Sequence, residues 1–102
     1  MNTQTMEYII AIADLQSVSK AAEHCYLTQS ALSQQVRRAE KELGMPLFQY
    51  RKGGMQLTEA GIIFINGCRR ILHAEKQLGE KMEKECIRYL GADTSEKGEL
   101  CL

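Results

Sequence analysis

Residues 17–43, SVSKAAEHCYLTQSALSQQVRRAEKEL, read as two helices joined by a sharp turn. A short helix can run through Lys20-Ala21-Ala22-Glu23-His24 with Ser19 as its N-cap. Cys25-Tyr26-Leu27 breaks the pattern, and Thr28 can cap a second helix that opens on Gln29-Ser30-Ala31. At about 100° per residue, Leu32, Val36, Ala39 and Leu43 fall within one narrow arc, the expected buried stripe. Gln29, Ser30, Ser33, Gln34 and Arg37 fall on the opposite arc, which carries no acid. Two adjacent alanines in the first helix let a second helix cross close by, as a helix-turn-helix requires. A solvated surface would account for the polar arc, but such surfaces usually carry Glu and Lys, and here those residues come only after Arg38.

The flanking chain extends this reading. From about Thr3 to Leu15 a helix is expected, with Met6, Ile9, Ile10 and Ala13 as its core stripe. Tyr8 and Ile12 extend the apolar surface beyond what one small core needs, though core remains the better expectation for most of these side chains. Gly44-Met45-Pro46 stops the motif's second helix. Residues 47–58, LFQYRKGGMQLT, switch to a strand-like period around Lys52-Gly53-Gly54 and predict a small β-hairpin with Arg51 and Lys52 near its tip. A two-stranded ribbon is not stable alone, so it must lean on the helices. Beside a helix-turn-helix a basic hairpin is a wing, able to touch the phosphate backbone or the minor groove.

From Thr58, a fitting cap, the helical period returns and persists to about Tyr89, for a length of about 48 Å. Phe64, Ile71 and Leu78 form one seven-residue series, with Cys68, Met82 and Tyr89 on its companion, flanked by alternating charge. No second helix in the chain can cover that seam, so Phe64, Ile71, Leu78 and Met82 are expected to meet another copy. Gly67 and Gly79 are costly inside a helix unless they mark close backbone approach. Residues 91–98 are small and polar, as linkers are, and residues 99–102 read as the opening of a strand, so the chain is expected to be a fragment.

Composition narrows the function classes. With 102 residues, 25% charged and 44% hydrophobic, the chain is ordinary globular material of one small domain. No apolar run reaches the roughly 18 residues of a membrane span, and no basic leader precedes the first apolar stretch, so a cytoplasmic protein without membrane contact is expected. Cys25, Cys68, Cys86 and Cys101 lack metal-ligand spacing and are expected as reduced structural thiols, with no metal and no cofactor. Net charge is zero, but residues 1–70 hold eight basic against six acidic side chains, concentrating positive charge at Arg37-Arg38, Arg51-Lys52 and Arg69-Arg70. No acid, base or nucleophile cluster points to an enzyme.

The chain resembles the N-terminal DNA-binding region of LysR-type transcriptional regulators. The residues that carry the likeness are Met6-Glu7-Tyr8 and Ala11-Ile12-Ala13, then Ser17-Val18 with Ala21-Ala22-Glu23. Gln29, Ala31-Leu32-Ser33, Val36 to Glu40, Glu42-Leu43-Gly44, Leu47-Phe48 and Leu57 to Gly61 continue it, over about residues 4–90. The resemblance implies a mainly α fold with a small β-hairpin: a winged helix-turn-helix over 1–58, a long linker and dimerisation helix over 59–90, and over 91–102 a linker with the start of an effector-binding domain. It implies a bacterial transcription factor that binds a double-stranded operator as a homodimer, a tetramer being open to the full-length protein, with a small-molecule effector acting only through the missing C-terminal domain.

On these residues the DNA-binding set is Thr28, Gln29, Ser30, Ser33, Gln34, Arg37, Arg38, Arg51 and Lys52. Ser30 stands where the family commonly has Pro, and Ala39 where Leu is usual. Tyr50 lengthens the spacing from Phe48 to Arg51, which leaves the wing register open. Two other classes remain: a winged-helix module that binds protein, and a thiol redox sensor acting through Cys25 or Cys68.

Overall fold

The computed structural model describes residues 1–91. The element order is α1 (Thr3–Leu15), α2 (Val18–His24), α3 (Gln29–Leu43), β1 (Phe48–Arg51), β2 (Gly54–Leu57) and α4 (Glu59–Leu90). The chain divides into two compact units, residues 1–70 and residues 71 onward. The linker and strand opening expected over 91–102 lie, past Gly91, outside the described residues.

Each helix of the first unit has a side chain that starts it. Asn2 accepts the Thr5 N–H at 2.9 Å, and Thr28 accepts the Ala31 N–H at 3.1 Å. The cap of α2 is Ser17, which accepts the Lys20 N–H at 3.2 Å; the expected cap, Ser19, lies inside the helix. The reason is the brevity of the connection. Gln16 turns into the left-handed region (φ 53°) to close α1, and Ser17 is the single extended residue before α2 begins. Gly44, at φ 78°, closes α3 by donating its N–H to the Glu40 carbonyl at 2.8 Å.

The core forms where α1, α2 and α3 cross. Ile12, Ala21, Ala22 and Leu32 make one buried cluster, and Ile9, Ala39, Leu47 and Ile65 a second. Val36 and Phe48 pack against both. Ile12, which extends the apolar surface of α1, is fully buried, in line with core being the better expectation for most of these side chains, because it packs with the two small alanines of α2. Leu43, expected at the end of the buried stripe, is 40% exposed, since α3 has run past its neighbours by then.

The hairpin pairs antiparallel with Phe48 opposite Leu57, Gln49 opposite Gln56, Tyr50 opposite Met55 and Arg51 opposite Gly54. That register leaves Lys52-Gly53 as the turn, with Gly53 and Gly54 at φ 101° and 121°.

The first three turns of α4 belong to the same unit as the helix-turn-helix. Gly61, Ile65 and Cys68 are buried there, and Phe64 packs half-buried against the second cluster. This corrects the expectation that Phe64 faces outward with Ile71, Leu78 and Met82; only those three are exposed. Nothing stands within 4 Å of a Cβ built on Gly67 or Gly79, so neither glycine marks a close approach within the chain.

Candidate nucleic-acid interface

The face of α3 opposite its buried residues is built as its sequence suggests. Leu32 and Ala39 hold the helix down, leaving Gln29, Ser30, Gln34, Arg37 and Arg38 exposed and Ser33 half-buried. From Thr28 to Arg38 the chain carries no carboxylate. Among the described residues no ion pair engages Arg37, Arg38, Arg51 or Lys52, so their charges are free to meet an outside anion. Thr28 accepts from Ala31, which leaves its own O–H proton free to donate. Arg51 donates to Gln49 Oε1 at 3.2 Å along the edge of the wing.

What places the wing beside α3 is a pair of clamps at its base. From α3, the Glu40 carboxylate accepts the backbone N–H of Leu47 at 2.6 Å and of Phe48 at 3.4 Å. From the other side, Thr58 donates its hydroxyl to the Pro46 carbonyl at 2.8 Å and its N–H to the Leu47 carbonyl at 2.9 Å. The Thr58 Oγ also accepts the Gly61 N–H at 3.0 Å and so starts α4. Ser33, Arg37 and Glu40 of α3 and Tyr50 and Met55 of the wing then line one shared groove. The composition of this stretch gives no hint of the Glu40 clamp, because an i to i+7 side-chain-to-backbone bond has no spacing signature. Glu40→Ala is expected to lower stability by about 2 kcal/mol, two bonds to a charged acceptor being lost at a half-buried site. A melting temperature equal to that of the parent chain would refute the clamp.

The cysteines play a different part. Cys68 is buried and Cys25 half-buried. Burial raises the pKa of both thiols, with Glu7 adding to the effect at Cys25. A raised pKa suppresses the thiolate, the form that reacts with oxidants. Cys25 and Cys68 are free thiols, and the expectation for Cys101 lies outside the described residues.

Residues 3–62 match the family described as bacterial regulatory helix-turn-helix protein, lysR family. The chain is 39% identical over 84 residues to the uncharacterized HTH-type transcriptional regulator YcgK of Bacillus subtilis (strain 168), covering 82% of the chain and 26% of that protein. It is 32% identical over 85 residues to the DNA-binding transcriptional dual regulator OxyR of Escherichia coli (strain K12), covering 83% of the chain and 28% of that protein. The chain thus spans about a quarter of the length of the curated relatives it matches. Among solved structures it superposes on the BenM DNA-binding domain in complex with catB site 1 DNA with a TM-score of 0.78 at 26% identity, covering 82% of the chain and 93% of that one. With the family match spanning more than half of its residues, the chain belongs to the LysR family of bacterial helix-turn-helix regulatory proteins.

Proposed function

We propose that this chain is the DNA-reading part of a LysR-type transcriptional regulator and binds a double-stranded operator sequence-specifically, without chemistry. The observation that carries the reading is the exposed face of α3 from Gln29 to Arg38, a stretch that has no carboxylate and whose Arg37 and Arg38 make no ion pair among the described residues, backed by a wing whose tip carries Arg51 and Lys52. In this mechanism α3 lies in the major groove. Thr28, Ser30, Ser33 and the free N–H groups of its first turn fix register on phosphates. Gln29 and Gln34 read base edges, since a carboxamide can bond bidentately to adenine. Arg37 and Arg38 take phosphates, and Arg51 and Lys52 hold the backbone or the minor groove beside them.

Residues 1–58 serve as the reading head, and the helix over 59–90 joins two copies through Ile71, Leu78 and Met82. A small-molecule effector would act through a further C-terminal domain rather than through these residues. The work is done in the cytoplasm, where a bacterial operator lies.

Gln29→Ala tests the reading. It is expected to weaken binding to the preferred operator by about 1–3 kcal/mol while leaving random duplexes almost unaffected, because a base contact discriminates. Arg51→Ala should instead weaken every duplex alike and make the salt dependence shallower. Fluorescence anisotropy titrations at several salt concentrations measure both. Equal losses on operator and random DNA for Gln29→Ala would remove that side chain from base reading, and binding insensitive to salt would favour a protein-interaction module.

A further inference from the structure

The turn between α2 and α3 closes in a way its sequence does not advertise. Leu27 donates its N–H back to the Ala22 carbonyl at 2.9 Å, and Tyr26 donates to the Glu23 carbonyl at 3.2 Å. These are the two bonds of a Schellman closure, which places Tyr26 at the residue that must turn left-handed. Tyr26 is there at φ 58°. Glycine occupies such a position without cost and Asn with little, whereas a tyrosine Cβ is crowded against its own backbone.

The fold makes no use of the side chain that causes this crowding. Tyr26 is 96% exposed, and among the described residues its phenol makes no hydrogen bond. It stands two residues before the Thr28 cap, three before Gln29, on the side of the chain where no carboxylate follows until Glu40. An L-residue held at positive φ, with a ring the fold leaves in solvent, directs attention to a partner outside the chain.

Resting on the DNA-binding function proposed above, we infer that Tyr26 is a backbone-contact residue whose phenol O–H donates to a non-bridging phosphate oxygen of the duplex that α3 reads. The chemistry fits the position. A tyrosine carries a rigid arm with a neutral donor at its end, and hydroxyl-to-phosphate bonds fix register without reading sequence. Leu27, half-buried against the first core cluster, and the Thr28 cap anchor the backbone on one side of the ring, so the arm is held by the fold although its ring is free.

Two variants, with the parent chain, decide the matter on two probes: a duplex selected by the parent chain from a random pool, and an unrelated duplex of equal length. Tyr26→Phe keeps the ring and the strained backbone and removes only the O–H. It should melt with the parent chain yet bind both duplexes about tenfold more weakly, the loss expected of one hydrogen bond to a charged acceptor. Tyr26→Asn should lose the same factor while melting about 4 °C higher, because Asn tolerates the left-handed turn. Stability and affinity then move in opposite directions, which a merely structural residue cannot produce.

Parent-like affinity of Tyr26→Phe on both duplexes overturns the inference, and so does a loss confined to the selected duplex, which would mean a base contact. A parent chain that binds neither duplex overturns the inference together with the proposed function. A parent chain that binds, beside variants that bind equally well, removes the inference alone.

Discussion

Gly61→Ala is expected to destabilise the winged unit by about 3 kcal/mol, although alanine is the better helix former. Gly61 lies in the first turn of α4, buried where that helix passes the start of the wing. A Cβ there would overlap the carbonyl oxygen of Leu47 and stand 2.9 Å from Leu57 Cδ2 and 3.1 Å from the Leu47 carbonyl carbon. The Leu47 carbonyl cannot yield easily, because it accepts the Thr58 N–H while the neighbouring amide is held by Glu40. The collision is with backbone pinned from two sides, so relief requires moving α4 away from the wing. Gly67→Ala supplies the internal control. Open space surrounds that position, and the substitution should stabilise by about 0.5–1 kcal/mol through helix propensity alone. Thermal melting of the two variants should therefore shift in opposite directions, by more than about 10 °C downward for Gly61→Ala. A Gly61→Ala chain that melts within a few degrees of its parent would show that the helix and the wing are not in rigid contact.

Leu78→Asp combined with Met82→Asp should leave the winged unit folded while operator affinity falls by about two orders of magnitude or more. Leu78 and Met82 are 61% and 57% exposed on the second unit, with Ile71 and Ile87 also half in solvent. A single helix carrying that many open apolar side chains gains by burying them against a second copy. The gain is about 1.5–3 kcal/mol for each side chain, which matters at micromolar concentrations. One chain offers one proposed recognition helix, and two-fold operators space their half-sites about 34 Å apart, so in the proposed dimer the tethering of two weak contacts would make binding tight. Sedimentation equilibrium of the parent chain should show a dimer in the micromolar range, and the double variant a monomer. Circular dichroism confirms that the first unit survives. A parent chain that remains monomeric and still binds its operator tightly would end the proposal of dimerisation through α4.

How much of this was legible in the residues alone varies with the kind of contact involved. The helix bounds of α1 and α3, the hairpin over 47–58 and the long α4 follow from local chemistry: Thr28 and Thr58 cap, Gly44 and Pro46 stop, Gly53 and Gly54 turn. The polar face of α3 was legible for the same reason, since periodicity places Gln34 and Arg37 opposite Leu32 and Ala39 before any tertiary contact is known.

What tertiary structure alone decided is where elements distant in sequence meet. Periodicity put Phe64 and Cys68 on the same seam as Leu78, because it counts turns along one helix and is blind to where the neighbouring domain ends. Packing buries Cys68 and half-buries Phe64, while Ile71, Leu78 and Met82 stay open. Periodicity made Ile12 apolar surface of α1 with core the better expectation, but only packing shows that Ala21 and Ala22 are what cover it. The Glu40 clamp joins residues seven and eight apart, and the crowding at Gly61 comes from a carbonyl fourteen residues away. The left-handed turn at Tyr26 is set by the angle at which α2 must hand over to α3, and a tyrosine's side chain says nothing of it. Caps and turns are settled within a few residues by hydrogen bonds and φ preferences, whereas burial and backbone proximity depend on every element that arrives from elsewhere in the chain.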